Sequence, residues 1–471
     1  GKIAFASELC ALKVLPDFPT EVDPEALGLY FRLGVVPEWT CIYPEVSKLP
    51  PGCWVRYHLE TGHVDGPTAY WDLPPVGEDE SKSEEEWVDE IEALLWDATH
   101  IRLRSDVPLG VFLSGGIDSG LVAAAAGQQQ SGLTSLTIGF AGEPEDETDL
   151  ALATAHHLGL NAITRNVELR EGLKMLPAIM AHFDEPFADT SALPTSLICA
   201  EARKEFTVVL SGDAGDEVFG GYGNHVRAWQ WRHMDKIPLI LRQTTGSLLS
   251  SLTPRDSLPK RFFQRLGQPV GRFGLGGIVY PFQDWLEGCL RPEFKVHPGR
   301  VVKLYNEHLP KWTDASSIDF AQRTDLRNYM LEDILIKVDR MSMLHSLEVR
   351  SPFLDYRLVE LGLKIPSRLR VKNGHNKYLL RKLAARHLPE VICSAPKRGF
   401  GIPFSSWLKD EATADELSII MRKSQDGWPD PFVKDGAERL WHLGRKNPGA
   451  LSSAIAQLLT YRWWCQGRMT A

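Results

Sequence analysis

The chain has 471 residues, of which 43 % are hydrophobic and 24 % charged. This is ordinary globular composition, with length for about two to three domains. A formal net charge of −9 argues against general binding to nucleic acid or to an anionic membrane, although a local basic pocket remains compatible with it. The seven cysteines are odd in number and lack metal-ligand spacing, which suits reduced thiols in a cytoplasmic protein. Neither a signal peptide nor an apolar run of about 18 residues is present.

Residues 1–75 read as short strands and turns. "KLPPGCWVRYHLETGHVDG" is a hairpin interrupted by Pro50, Pro51 and Gly52, and no catalytic pattern occurs there. The acidic run "GEDESKSEEE" reads as an exposed linker, placed at 76–83, before a unit spanning 84–471. Ser83 and Glu86 form a capping box for a helix whose apolar face comprises Trp87, Ile91, Leu94, Leu95, Ala98 and Ile101.

"VPLGVFLSGGIDSGLVAAAAG" follows, a buried-strand pattern from Leu109 to Leu113, then a turn, then a helix-favouring stretch from Leu121 to Ala126. Gly115 and Gly116 allow close backbone approach, and the free N–H groups of the helix start favour an anion. Ser114 and Ser119 add hydroxyls. Asp118 repels a phosphate unless a divalent cation lies between them, so the turn points to phosphate plus magnesium. A tight strand-to-helix connection with no ligand is the plainer alternative for this turn alone.

"LTSLTIGF" and "FTVVLSG" are further buried strands with amphipathic segments around them, which predicts a parallel α/β sheet binding ligands beyond the strands' carboxyl ends. "VVLSGDAGDEVFGGY" repeats the logic of the first turn, with Ser211 and Gly212 followed by Asp213, Asp216 and Glu217. Two such turns make a shared Mg-ATP site the better reading. Beyond about residue 225 the pattern is mainly helical, as in "LRNYMLEDILIKVDRMSMLHSLEV".

These segments carry a family resemblance. "LSGGIDSG", "TIGF", "FDEPFADTSALPTS", "LSGDAGDEVFGGY", "KVDRMSMLHSLEVRSPFLD", "GHNKYLLR" and "APKRGFGIPFSSWL" stand in the order of class B, glutamine-hydrolysing asparagine synthetases. The opening "IAFASELCAL", with "LPPGCW" and "YW", resembles the end of that family's glutaminase domain. The resemblance implies an ATP pyrophosphatase domain with a helical C-terminal part, preceded by the remainder of an Ntn-type glutaminase domain.

It further implies that Ser114, Gly115, Gly116, Asp118 and Ser119 surround the ATP phosphates, that Phe112 and Ile138 lie near the adenosine, and that Ser211 and Gly212 complete the pocket. Asp118 and Asp216 become candidate Mg²⁺ ligands, as hard oxygen donors from two loops. Lys397 matches the lysine that stabilises charge on the reacting α-phosphate. Asp213 stands where the family often carries glutamate as proton acceptor for ammonia attack, one methylene shorter. The reaction implied is amidation of a carboxylate through an acyl-adenylate, with aspartate as acceptor and nitrogen from ammonia or, in the longer enzyme, glutamine.

A different acceptor acid, or an ATP-binding relative without catalysis, remain alternatives, and a homodimer is compatible with the family. Family members begin with a catalytic cysteine, whereas Gly1 opens this chain. The expectation is therefore an N-terminally truncated member that uses ammonia but not glutamine. Cys10 reads as a packed structural thiol, and His156, His157 and His182 as surface or packing residues.

Overall fold

Val111 and Leu210 are fully buried partners on neighbouring parallel strands, and the sheet around them organises the larger part of the chain. The structure is a computed structural model. It describes residues 3–139, 146–167, 172–253, 288–310, 314–394, 404–422 and 430–469, with 263, 266, 286, 312 and 402 as isolated positions.

In the amino-terminal part a helix, α1 (Pro24–Leu33), precedes the antiparallel hairpin of β1 (Cys53–Tyr57) and β2 (Val64–Ala69). The hairpin was expected and α1 was not. Its local signals are ordinary ones: Asp23 accepts from the Glu25 N–H at 2.8 Å, Pro24 opens the helix and Gly34 closes it in the left-handed conformation. Ala26 to Leu33 are buried throughout, so the amphipathic period that usually marks a helix is missing.

Five strands then form the parallel sheet: β3 (Leu109–Phe112), β4 (Thr134–Gly139), β5 (Asn161–Asn166), β6 (Val208–Leu210) and β7 (Glu348–Arg350). Their order is β5-β4-β3-β6-β7. The chain builds outward from β3 on one side, then returns to place β6 on the other. The turns after β3 and β6 thus lie side by side where the winding reverses, the usual ligand crevice of such sheets. The expected α/β class and its strands β3, β4 and β6 are present. The strands β5 and β7 went unread, β5 because it alternates exposed and half-buried polar residues, and β7 because it is three residues long.

Around the sheet lie α2 (Glu84–Arg102), α3 (Ile117–Gln129), α4 (Thr148–His157), α5 (Ala192–Ala202), the short α6 (Gly215–Phe219), α7 (Ile336–Leu344), α8 (Tyr378–His387) and the long α9 (Pro448–Met469). The capping box of α2 forms as read, with the Ser83 N–H donating to Glu86 at 2.7 Å and the Glu86 N–H to Ser83 Oγ at 3.3 Å. Trp87, Ile91, Leu95 and Ala98 are fully buried, Leu94 is half-buried, and Ile101 is a correction, since it is 46 % exposed at the frayed end of the stripe.

The acidic run is not a free tether. The Ser367 N–H donates to Glu78 at 3.0 Å, the Asp79 N–H donates to the Lys364 carbonyl at 2.8 Å, and Arg368 pairs with Glu80 at 2.5 Å. Its far end opens α2, whose acidic face meets basic residues of α8: Lys382 pairs with Glu85 at 2.6 Å, and Arg386 with Asp89 and Glu92 at 2.7 and 2.8 Å.

The amino-terminal residues share a core with the carboxyl-terminal helix. The Tyr30 hydroxyl donates to the Gln457 carbonyl at 2.6 Å, and Gln457 Nε2 donates back to the Tyr30 carbonyl at 2.6 Å, both inside a cluster that joins α1 to α9. Replacing Gln457 by leucine keeps the volume but removes the side-chain hydrogen bond to the Tyr30 carbonyl, which keeps its bond from the Gly34 N–H at 2.7 Å. A loss of about 0.5–1.5 kcal/mol in denaturant unfolding is expected, and an unchanged midpoint would show that α1 does not depend on this exchange.

Candidate active site

The first turn folds on its own hydroxyls. The Ser114 N–H donates to Ser119 Oγ at 3.2 Å, the two hydroxyls lie 2.8 Å apart, and the Gly116 N–H donates to Ser114 Oγ at 3.2 Å. Gly116 is the N-cap of α3, and Asp118 lies in that helix's first turn. The Gly115 N–H is met at 3.2 Å by the carboxylate of Glu147, from the N-cap of α4. That carboxylate oxygen stands in for the anionic oxygen that such an N–H suits.

The second turn crosses closely over the first. A methyl on Gly212 would lie 2.6 Å from the Ser119 nitrogen, and one on Gly215 would lie 2.5 Å from Asp118 Oδ1, so both positions need glycine for close approach. Between these glycines Ala214 takes φ 73°, the left-handed region that an alanine enters only at a cost of about 1–2 kcal/mol. This bend starts α6 and aims Asp216 back toward Asp118.

The two carboxylates meet on Lys377. Its Nζ hydrogen-bonds Asp118 Oδ2 and lies 2.7 Å from Asp216 Oδ1, and the lysine is buried. Burial works to lower its pKa, but Asp118 and Asp216 outweigh that and hold it at about 12, so the ammonium stays charged. Lys377 is the residue before α8 and itself has φ 50°. Asn376 Nδ2 hydrogen-bonds the Gly221 carbonyl beside it. Two strained non-glycine residues at one site is the pattern expected where surrounding structure enforces a functional geometry.

Ser211 and Asp213 lie one step away. Ser211 is buried, its N–H donates to the Arg350 carbonyl at 2.9 Å, and its hydroxyl donates to Asp213 Oδ2 at 2.7 Å. Burial pushes the Asp213 carboxyl above the ordinary carboxylate value, against the Ser211 hydrogen bond and the charge of Lys337. Behind Asp216, Glu217 is pushed up to about 7 by burial and by the Asp216 charge, and accepts from the Tyr222 hydroxyl at 2.5 Å.

The structure therefore brings together Ser114, Gly115, Gly116, Asp118, Ser119, Ser211, Gly212 and Asp216. Phe112 and Ile138 are half-buried on β3 and β4 at the same end of the sheet. Lys397 lies outside the described residues. Lys377 and Glu147 went unassigned in the sequence. Lys377 stands inside "GHNKYLLR", 259 residues from Asp118 and 161 from Asp216, and only the fold brings them together. Cys10 is a correction, because it is exposed, its N–H donates to Asp184 at 3.0 Å and its thiol lies 3.2 Å from Glu8. Burial, Glu8 and Asp184 raise that thiol's pKa, which keeps it a poor nucleophile. His156 and His157 are exposed and His182 is half-buried.

With this geometry in place, comparison with known proteins defines the class. The sequence profile described as asparagine synthase matches residues 90–466, and one described as glutamine amidotransferase domain matches residues 1–71. The chain belongs to the asparagine synthase family. It is 32 % identical over 430 residues to asparagine synthetase [glutamine-hydrolyzing] 1 of Bacillus subtilis, covering 91 % of this chain and 66 % of that one. It is 28 % identical over 421 residues to asparagine synthetase [glutamine-hydrolyzing] 3 of the same organism, covering 82 % and 59 %. It is 25 % identical over 436 residues to the protein named amidase chry2 of Gibberella zeae, covering 80 % and 64 %. The chain thus spans less than two thirds of the length of each of these relatives.

A methyl on Gly221 would fall 1.8 Å from Asp216 Oδ1 and 2.3 Å from Lys377 Cε. Gly221→Ala is therefore expected to part Lys377 from Asp216 and to weaken ATP binding about tenfold or more by calorimetric titration, equivalent to at least about 1.4 kcal/mol. Unchanged affinity would separate the Lys377 cluster from the nucleotide site.

Proposed function

We propose that the chain carries out ATP-dependent amidation of a carboxylate, releasing AMP and pyrophosphate, and that aspartate is the acceptor, giving asparagine. The observation that supports this reading is the meeting of the β3 and β6 turns around one buried ammonium. The α3 start with Ser114 and Ser119 suits the phosphates, Ser211 and Gly212 close the pocket, and Phe112 with Ile138 suit the adenosine.

Magnesium fits the donors present. Two hard carboxylates from separate turns already converge on a monovalent cation, so Asp118 and Asp216 would hold the metal, and phosphate oxygens would complete its shell. Bound there, it would neutralise charge on the phosphates. Among the described residues no group of three or more His, Cys, Asp or Glu forms an all-protein metal cage, which matches a metal shared with substrate.

In the reaction, an oxygen of the acceptor carboxylate attacks the α-phosphorus, the α–β bridge breaks and pyrophosphate leaves. Lys397 is assigned to the charge that develops on the α-phosphate. Ammonia then attacks the acyl carbon and AMP departs with the carboxylate oxygen. Asp213, a carboxylate whose proton affinity burial has raised, takes the proton that the nitrogen gives up.

A second reading, amidation of a different carboxylate, is favoured by the shorter Asp213 side chain and by the amidase-named relative. Pyrophosphate release with ATP, Mg²⁺, an ammonium salt at alkaline pH and a panel of acids separates the two. Aspartate-dependent release with asparagine formed supports the first reading, and release only with another acid supports the second. Asp118→Ala should abolish release while leaving circular dichroism unchanged, and a folded variant with normal turnover would remove Asp118 from the site. Lys397→Ala should slow adenylation about a hundredfold or more, and unchanged single-turnover kinetics would return that lysine to the surface.

A further inference from the structure

The short helix α6 carries Asp216, one of the two carboxylates of the site, yet its five residues are too few for a helix to hold its own shape. Its direction must come from outside. The Asp216 carbonyl accepts from the Gly221 N–H at 2.7 Å. The next two carbonyls, of Glu217 and Val218, lie at the end of the helix, where acceptors have no partner inside the helix itself.

Both are taken by one side chain. Gln322 Nε2, from the helix Ser317–Arg327, donates to the Glu217 carbonyl at 3.0 Å and to the Val218 carbonyl at 2.9 Å. Gln322 is fully buried, so solvent does not compete for these bonds. Tyr222 and Lys377 hold the side chains of Glu217 and Asp216, whereas Gln322 holds the backbone that carries both.

The amide is fixed in turn. Its Oε1 accepts from Arg370 Nη1 at 2.9 Å, and because a guanidinium only donates, this bond leaves Nε2 facing α6. Arg370 is itself buried, and donates to Asp319 Oδ1 at 2.8 Å and to the Ile365 and Leu363 carbonyls at 2.7 Å each. Asp319 pairs through its other oxygen with Arg323 at 2.8 Å, and Arg323 donates to the carbonyls of Pro74 and Pro75 at 2.6 and 3.2 Å. Buried polar side chains joined in this way form a rigid network.

We propose that Gln322 is a positioning residue for the metal-binding pair: fixed by Arg370, its amide sets the axis of α6 and so aims the Asp216 carboxylate at Asp118. The proposal rests on the reading above for the metal, and on this hydrogen-bond chain for the aim of Asp216.

The test uses the whole chain with two substitutions. Gln322→Glu keeps the shape and the Arg370 bond but turns an acceptor toward the two carbonyls. Gln322→Met removes both donors and leaves Arg370 its bonds to Asp319, Ile365 and Leu363, should the glutamate variant fail to fold. Crystal structures of the wild-type and variant chains without nucleotide give the distance from Asp216 Oδ1 to Lys377 Nζ, which is 2.7 Å in the wild-type structure. Mn²⁺ binding in the presence of α,β-methylene-ATP, whose α–β bridge is not hydrolysed, is followed by electron paramagnetic resonance.

In both variants Asp216 should move out of hydrogen-bond reach of Lys377, and the affinity for Mn²⁺ should fall about tenfold or more, as it does when a group that orients a metal ligand is lost. A folded Met variant with Asp216 in its wild-type place would overturn the proposal, and so would one that binds Mn²⁺ as tightly as the wild type. If the wild-type chain binds no Mn²⁺ with the nucleotide, the metal reading fails, while the crystal structures still decide whether Gln322 aims Asp216.

Discussion

The site depends on one buried ammonium between two carboxylates. Asp118 and Asp216 come from turns after adjacent strands, and both side chains are only 19 % exposed. Without a cation the two turns repel one another in a medium that screens poorly. Lys377 removes that repulsion, and the glycines at 212, 215 and 221 let the turns come close enough for it to reach both. Removing one member of such a cluster costs about 3–5 kcal/mol because the others stay buried and unpaired. On the proposed reading the same arrangement would receive a metal, since a stronger cation bound to phosphate can displace the lysine's charge from the two carboxylates.

What fixes Lys377 reaches back to the acidic stretch before α2. Lys377 precedes α8, whose buried face of Leu379, Leu380, Leu383 and Ala384 packs against α2 and α3 and whose exposed face is tied to the glutamates and aspartate of α2. On the other side of the site, the segment Met330–Leu344 touches the amino-terminal residues as well. Glu332 accepts from the Glu38 N–H at 3.0 Å, and Arg340 pairs with Glu8 at 2.5 Å and Asp184 at 2.8 Å. Lys337, between them, pairs with Asp189 at 2.6 Å. One stretch of helix thus joins the part that resembles a glutaminase to the part that holds the parallel sheet.

Much of this was legible from residue types and local spacing. The capping box at Ser83 and Glu86, the strands β3, β4 and β6 and both Ser-Gly turns follow from rules that act within a few residues, and the structure keeps them. What escaped needed tertiary context. Lys377 looked like any lysine at a helix start until the fold set it against Asp118. The helix α1 is buried between α9 and the Pro292–Val296 segment and so shows little period, and β5 is polar because it lies at the sheet edge. Ile101 kept the helical spacing but outran the surface that buries its neighbours. Cys10 has the residue type of a packed thiol, and nothing local reveals that its segment runs along the surface.

On the proposed reading the two turns bind ATP for attack at the α-phosphorus by a carboxylate. The most direct measurement is oxygen transfer: the acceptor acid labelled with ¹⁸O in its carboxylate is incubated with the protein, ATP, Mg²⁺ and ammonium, and the nucleotide products are examined by mass spectrometry. AMP carrying one ¹⁸O is expected, formed together with unlabelled pyrophosphate. Label appearing in inorganic phosphate, with ADP as the nucleotide product, would contradict it by placing the attack at the γ-phosphorus.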